Sequence, residues 1–209
     1  MPVIYSLMVL VSLFFNPVRA QDKQSEFCSS RTTEAYHSPK CDWGWVVHDP
    51  HRVEDVSIPH KPAYHTYSRW VLDGQTYILA YRDIDRSPSD MAADVYLAGG
   101  SGHKLIGSVQ HLGEIVTDVS DARLTGGVLP DLVFREDCGE LKCVVVAHLS
   151  DETAGRVFWY GATEVEITTQ PKPMVIARSN LSNVVEEFAW DLKSNKFIKT
   201  RAYAWHKAQ

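Results

Sequence analysis

Short runs of β-branched and aromatic residues recur roughly every 8 to 12 positions along this chain, each closed by turn residues. No segment holds a sustained helical period, so this rhythm limits the fold class more than any other feature. Residues 67–82, YSRWVLDGQTYILAYR, place two such runs around Asp73-Gly74. That dipeptide suits a type I′ hairpin turn, whose two central positions both need positive φ. ADVYLAGGSGHKLIGSVQ (93–110) has the same form around a glycine-rich turn. DLVFREDCGELKCVVVAHL (131–149), RVFWYGATEVEITT (156–169) and EEFAWDLKSNKFIKTRAYAW (186–205) read as three further hairpins, the last turning over Asp191 to Asn195. The expected fold class is all-β, an antiparallel and hairpin-rich domain. The run VFWY alternates faces poorly and is expected between sheets. A coarse period of about 40 to 50 residues suits propeller-like blades, and a two-sheet sandwich accommodates the same strands.

The first 20 residues read as a signal peptide rather than as part of this fold. A thirteen-residue apolar core, Val3 to Phe15, is followed by Asn16 and Pro17 and then by Val18-Arg19-Ala20 as a small-residue cleavage site. A membrane span needs about 20 apolar residues, so no span is expected once the peptide is removed. The expected organisation is a signal peptide at 1–20, an irregular disulfide-tethered segment at 21–41 and an all-β domain at 42–209. Removing Arg19 from the 21 basic residues leaves 20 against 26 acidic ones, a net charge near −6. The charges are scattered, which argues against a nucleic-acid footprint and a polybasic membrane patch. The expected location is secreted or periplasmic.

All four cysteines, Cys28, Cys41, Cys138 and Cys143, lie after the cleavage site. An even number in an oxidising compartment implies two disulfides. Three pairings are possible on paper, and proximity favours Cys28–Cys41 and Cys138–Cys143. The second pair brackets CGELKC and would staple the mouth of a hairpin.

The stretch DARLTGGVLPDLVF (121–134) carries a resemblance. Its piece TGG-x-x-PDLVF is similar to the loop and strand of FG-GAP/VCBS-like β-blade repeat proteins over about 45 residues. In that family the loop reads D-x-D-G-D-G-x-x-D, and its carboxylates surround Ca²⁺, a hard cation wanting six to eight oxygens. With Asp131 set at the ninth position, Arg123, Thr125 and Gly127 stand at the first, third and fifth, and Val128 stands at the sixth. Three carboxylates are missing and one is replaced by a cation, so the loop reads as one that kept its turn and lost its ion. The resemblance implies an exported protein of the adhesion and ligand-binding kind, with calcium not expected as a cofactor.

His37, His48, His51, His60 and His65 fall within 29 residues, and His48 and His51 could present two imidazoles across a turn. Neutral imidazole binds zinc and copper well, which makes His48, His51, His60 and His65 candidate metal ligands. Catalytic motifs are absent. GGSGH (99–103) lacks the spacing of a nucleophile elbow. Glu186 and Glu187 are adjacent, so in a strand they point to opposite faces. The sequence therefore predicts an exported non-catalytic binding or structural protein of the cell envelope with a protein or glycan partner. The alternative is a periplasmic transition-metal-binding protein using the His37–His65 region.

Overall fold

The computed structural model describes residues 36–37, 46–53, 56, 58, 64–84, 91–100, 102–113 and 115–205. The expected signal peptide and the Cys28–Cys41 pair lie outside them. Three two-residue strands come first: β1 (Tyr36–His37), β2 (Val46–Val47) and β3 (Arg52–Val53). Twelve longer strands follow as three successive four-stranded meanders. The first contains β4 (Thr66–Leu72), β5 (Gln75–Asp83), β6 (Met91–Gly99) and β7 (Gly102–Leu112). The second contains β8 (Ile115–Ala122), β9 (Asp131–Cys138), β10 (Leu141–Leu149) and β11 (Ala154–Ala162). The third contains β12 (Glu164–Thr168), β13 (Met174–Ser179), β14 (Val184–Asp191) and β15 (Lys196–Ala204). The meanders begin at residues 66, 115 and 164, an advance of 49 residues each time. The period visible in the sequence is therefore one meander. Among the described residues no helix is long and apolar enough to cross a membrane.

Local chemistry explains the hairpins. Asp73 and Gly74 both adopt positive φ, 47° and 81°, and so connect β4 to β5 as a type I′ turn requires. Gly139, at φ 77°, turns β9 into β10, and the Cys138–Cys143 disulfide closes that hairpin. Asn195, at φ 54°, ends the turn between β14 and β15.

Hydrogen bonding joins the first two meanders into one curled sheet of order β1-β2-β8-β9-β10-β11-β7-β6-β5-β4-β3, and leaves the third as a separate sheet, β12-β13-β14-β15. The junction within the long sheet is a short parallel pairing of Ala154 with Gly107 and Gly155 with Ser108. A Cβ at Gly107 would lie 1.9 Å from the Ala154 carbonyl oxygen, so only glycine allows the two strands to meet there. Three apolar clusters hold the layers. The first fills the concave face with side chains from both joined meanders, including Trp70, Tyr77, Tyr81, Leu112, Phe134 and Val145. The second lies between β9–β11 and the third meander, where Val144, Val146, Phe158 and Tyr160 meet Val175, Ala177 and Phe188. The third covers Ile78, Ala80 and Tyr96 with Val56, Ile58 and Tyr64. The third meander is thus packed face to face on β9–β11, whereas the first two share one hydrogen-bonded sheet.

The outer face of the third meander is polar. Arg178 pairs with Glu166 at 2.8 Å, Tyr203 donates to Glu187 at 3.0 Å, and the Arg201 guanidinium lies 5.2 Å from the Tyr203 ring centre.

The hairpin expected at 156–169 does not form. β11 pairs with β10 and β7, whereas β12 pairs with β13. The chain changes sheets at Thr163, because Val165 and Ile167 gain more by facing the second cluster than by edge pairing with β11. The expectation for VFWY needs a similar correction. Val157, Phe158 and Tyr160 pack between the sheets, but Trp159 points the other way and is 51% exposed.

One polar link crosses between the sheets. The Tyr160 hydroxyl donates to Glu186, whose other oxygen accepts from Lys199 at 2.8 Å. The bond to Glu186, followed by burial, pushes the Tyr160 phenol up to about 12. The bonds from Lys199 and then Tyr160 hold Glu186 below the usual carboxylate range. The signs are opposite. The Tyr160 contribution is complete below the ordinary tyrosine value of 10.0 and is lost as pH rises through about 12. The Glu186 contribution is present above the ordinary 4.5 and is lost as pH falls through its lowered folded value. In an alkaline absorbance titration, Tyr160→Phe should therefore remove one late-ionising phenol. It should also flatten the loss of stability at the alkaline end.

Candidate functional site

The blade-like loop between β8 and β9 is built around Asp131, which is fully buried. One carboxylate oxygen, Oδ2, accepts the backbone N–H groups of Leu124 at 2.9 Å and Thr125 at 2.8 Å. The other, Oδ1, accepts the Thr125 hydroxyl at 2.8 Å and lies 2.9 Å from Nδ1 of His148. An ionised carboxylate only accepts, so the His148 Nδ1 carries the proton. A calcium loop points oxygens at a cation, whereas this loop points N–H and O–H donors at an anion. The cation of the loop is a side chain. Arg123, at the first ligand position, donates to the Val128 carbonyl at 2.6 Å and to Asp73 of the β4–β5 turn at 2.7 Å.

His148 reaches Asp131 through strand pairing. Leu132 and Ala147 are cross-strand partners in the β9–β10 ladder, which puts Asp131 and His148 at the next register position. Gly126 turns the loop at φ 72°. A Cβ on Gly127 would fall 2.6 Å from Cε1 of His148, so glycine is what lets the imidazole sit under the loop. On its far side the ring stacks against Trp190 of β14, with centroids 6.5 Å apart and planes at 23°. Trp190 in turn meets Phe197 edge-on at 5.4 Å. The rim is apolar and open: Val128 is 86% exposed and Leu192 is 78% exposed. The Leu192 side chain comes within 3.9 Å of the position a Gly126 Cβ would take. Two loops from neighbouring meanders therefore form one surface with the His148–Trp190 stack between them.

The chemistry of this arrangement is that of a held imidazole. Asp131 fixes the tautomer and orientation, leaving Nε2 as the unprotonated nitrogen of the neutral ring. Thr125 is no nucleophile for it. Its hydroxyl lies 2.9 Å from Nδ1, the same nitrogen that faces Asp131, whereas base catalysis needs the nucleophile on the opposite one.

The histidines singled out in the sequence lie elsewhere. His48 is half-buried and its backbone N–H donates to Val116. His51 rests on Trp70 with ring centres 4.2 Å apart. His65 Nε2 meets Asp83 at 3.0 Å. His60 and the His37 side chain lie outside the described residues. Among the described residues, the group of three metal-ligating types that comes together is Glu136, Cys138 and Cys143.

Among the buried carboxylates that escaped the sequence reading are Asp49 and Asp94. Asp49 is 2% exposed and accepts the His51 backbone N–H, the Trp70 indole at 3.2 Å and the Tyr81 hydroxyl at 2.8 Å. Asp94 is 5% exposed and accepts from Arg82 at 2.7 and 3.1 Å and from Tyr64 at 2.8 Å. Each is a lone aspartate in sequence, and only the tertiary fold supplies its donors. Both are structural, since their bonds are internal and tie the covering segment to the first meander.

No family model matches the chain. The search of curated proteins likewise finds no match.

Proposed function

We propose that the chain is an exported, non-catalytic binding protein of the cell envelope, and that it grips a protein partner through the Val128–His148–Trp190–Leu192 surface. The carrying observation is the exposure of Val128 and Leu192, 86% and 78%, on adjacent loops around a pre-oriented imidazole. Exposed apolar side chains grouped on rigid loops mark interaction sites. A protein partner is favoured over a glycan because the Trp190 ring is already covered by His148 and Phe197. These contacts leave less of the ring for a sugar to stack on. The regular advance of the meanders and the turn-bearing loop also support kinship with FG-GAP/VCBS-like blade proteins, whose adhesive role agrees with this reading.

The test begins by recovering the partner from the native exported fraction and then measures its affinity with purified components. Val128→Asp with Leu192→Asp should weaken binding by at least about 30-fold, the scale of one interface hot spot. The melting temperature should not change, because neither side chain is buried. Full affinity in the double variant, or recovery of a glycan as the ligand, would contradict the proposal.

A further inference from the structure

On a β-hairpin, residues two apart on one strand share a face with the residue opposite the first of them. In the β9–β10 hairpin these are Glu136, Cys138 and Cys143, since Glu136 and Cys143 are cross-strand partners. The carboxylate oxygen and the two sulfurs lie within 4.8 Å of one another. Glu136 is 2% exposed, and the Gly113 N–H donates to its Oε1 at 3.0 Å. On the other side, Cys143 faces Gly161 of β11, where a Cβ would stand 3.0 Å from the Cys143 sulfur. Glycine therefore keeps the flank of the sulfur open. A cavity of about 360 Å³, lined by Arg135, Glu136, Lys142, Cys143 and Thr163 among others, leads to the site.

Two thiolates and a carboxylate at this spacing are a three-ligand set for zinc, with a fourth position left for water. We propose that opening the Cys138–Cys143 disulfide with an external dithiol turns this face into a Zn²⁺ site, with Glu136 as its oxygen ligand. The dithiol gives two electrons and two hydrogens to the cysteines and closes its own disulfide. The two thiol protons then leave to water as the thiolates bind Zn²⁺. Arg135 and Lys142, paired with Asp118 and Asp137, line the approach. Copper(I) is softer and gains nothing from the carboxylate, so zinc is the ion the set selects. This inference does not depend on the partner-binding reading.

The test uses the whole exported protein, oxidised and dithiol-reduced, titrated with Zn²⁺ alone against a chromophoric chelator. Circular dichroism confirms that each form is folded. The reduced protein should bind one equivalent and the oxidised protein none. Glu136→Gln should weaken uptake at least tenfold while cobalt substitution still shows a thiolate charge-transfer band. Cys138→Ser with Cys143→Ser keeps Cys28 and Cys41, so it should bind no zinc at that affinity after reduction. Equal uptake by that double variant would place the metal elsewhere and overturn the inference. Unchanged affinity in Glu136→Gln, or no stoichiometric zinc in the folded reduced protein, would overturn it as well.

Discussion

Asp131→Ala should lower stability by about 3–5 kcal/mol, since it removes several charge-assisted hydrogen bonds to one buried carboxylate at once. The carboxylate is fully buried and serves four donors, the N–H groups of Leu124 and Thr125, the Thr125 hydroxyl and His148. Alanine leaves the Leu124 and Thr125 N–H groups facing a small void with their desolvation penalty, while the Thr125 hydroxyl and His148 Nδ1, 2.9 Å apart, retain each other. Water entering the vacated space recovers part of this, which is why the sum of separate penalties would overshoot. For a domain of this size the drop corresponds to a fall in melting temperature of roughly 10 °C or more. Asp131→Asn keeps one acceptor oxygen and should cost less. Thermal unfolding followed by circular dichroism decides it, and a fall of only one or two degrees would show that the loop holds itself without its aspartate.

Asp94→Ala should be of similar severity, about 3–5 kcal/mol, for a related reason. Asp94 is 5% exposed and takes two bonds from Arg82 and one from Tyr64, whose hydroxyl also meets that of Tyr96 at 2.6 Å. Burial, and then the bonds to Tyr96 and Asp94, pushes the Tyr64 phenol well up. Removing the carboxylate strands a guanidinium that is only 25% exposed and unfastens the segment covering Ile78 and Ala80. Arg82→Ala with Asp94→Ala should cost less than the two single changes added together, because the double variant leaves no unpaired charge. Urea denaturation of the four proteins measures that coupling. Strict additivity would mean that the pair does not act as a unit.

The backbone of this account was legible where one local signal fixed one local geometry. Asp73-Gly74 could hardly be anything but a tight hairpin, and CGELKC announced both a turn and its staple. The segment 156–169 misled because a turn between two strands does not say whether they pair or part into different layers. That choice belongs to the faces of Val165 and Ile167, which need a partner sheet that no local window contains. The site was half legible. The lack of carboxylates at Arg123, Thr125 and Gly127 was plain, but not that Leu124, Thr125 and His148 would close on Asp131. His148 was within reach of reasoning, since the register of the CGELKC hairpin carries Asp131 to a place opposite it, and the same register carries Glu136 to Cys143. Trp190 was not, because it arrives from the next meander.

The most direct test of the central claim is nuclear magnetic resonance of the Leu124 and Thr125 amides and the His148 ring, recorded while calcium is added. Donors bound to Asp131 should leave both amides in hydrogen-bonded positions, put the His148 proton on Nδ1, and keep every one of these signals unmoved by calcium. Saturable calcium-dependent shifts at Leu124 and Thr125, or a proton on Nε2 in the neutral ring, would mean that the loop is an ion site after all and that His148 is not presented by Asp131.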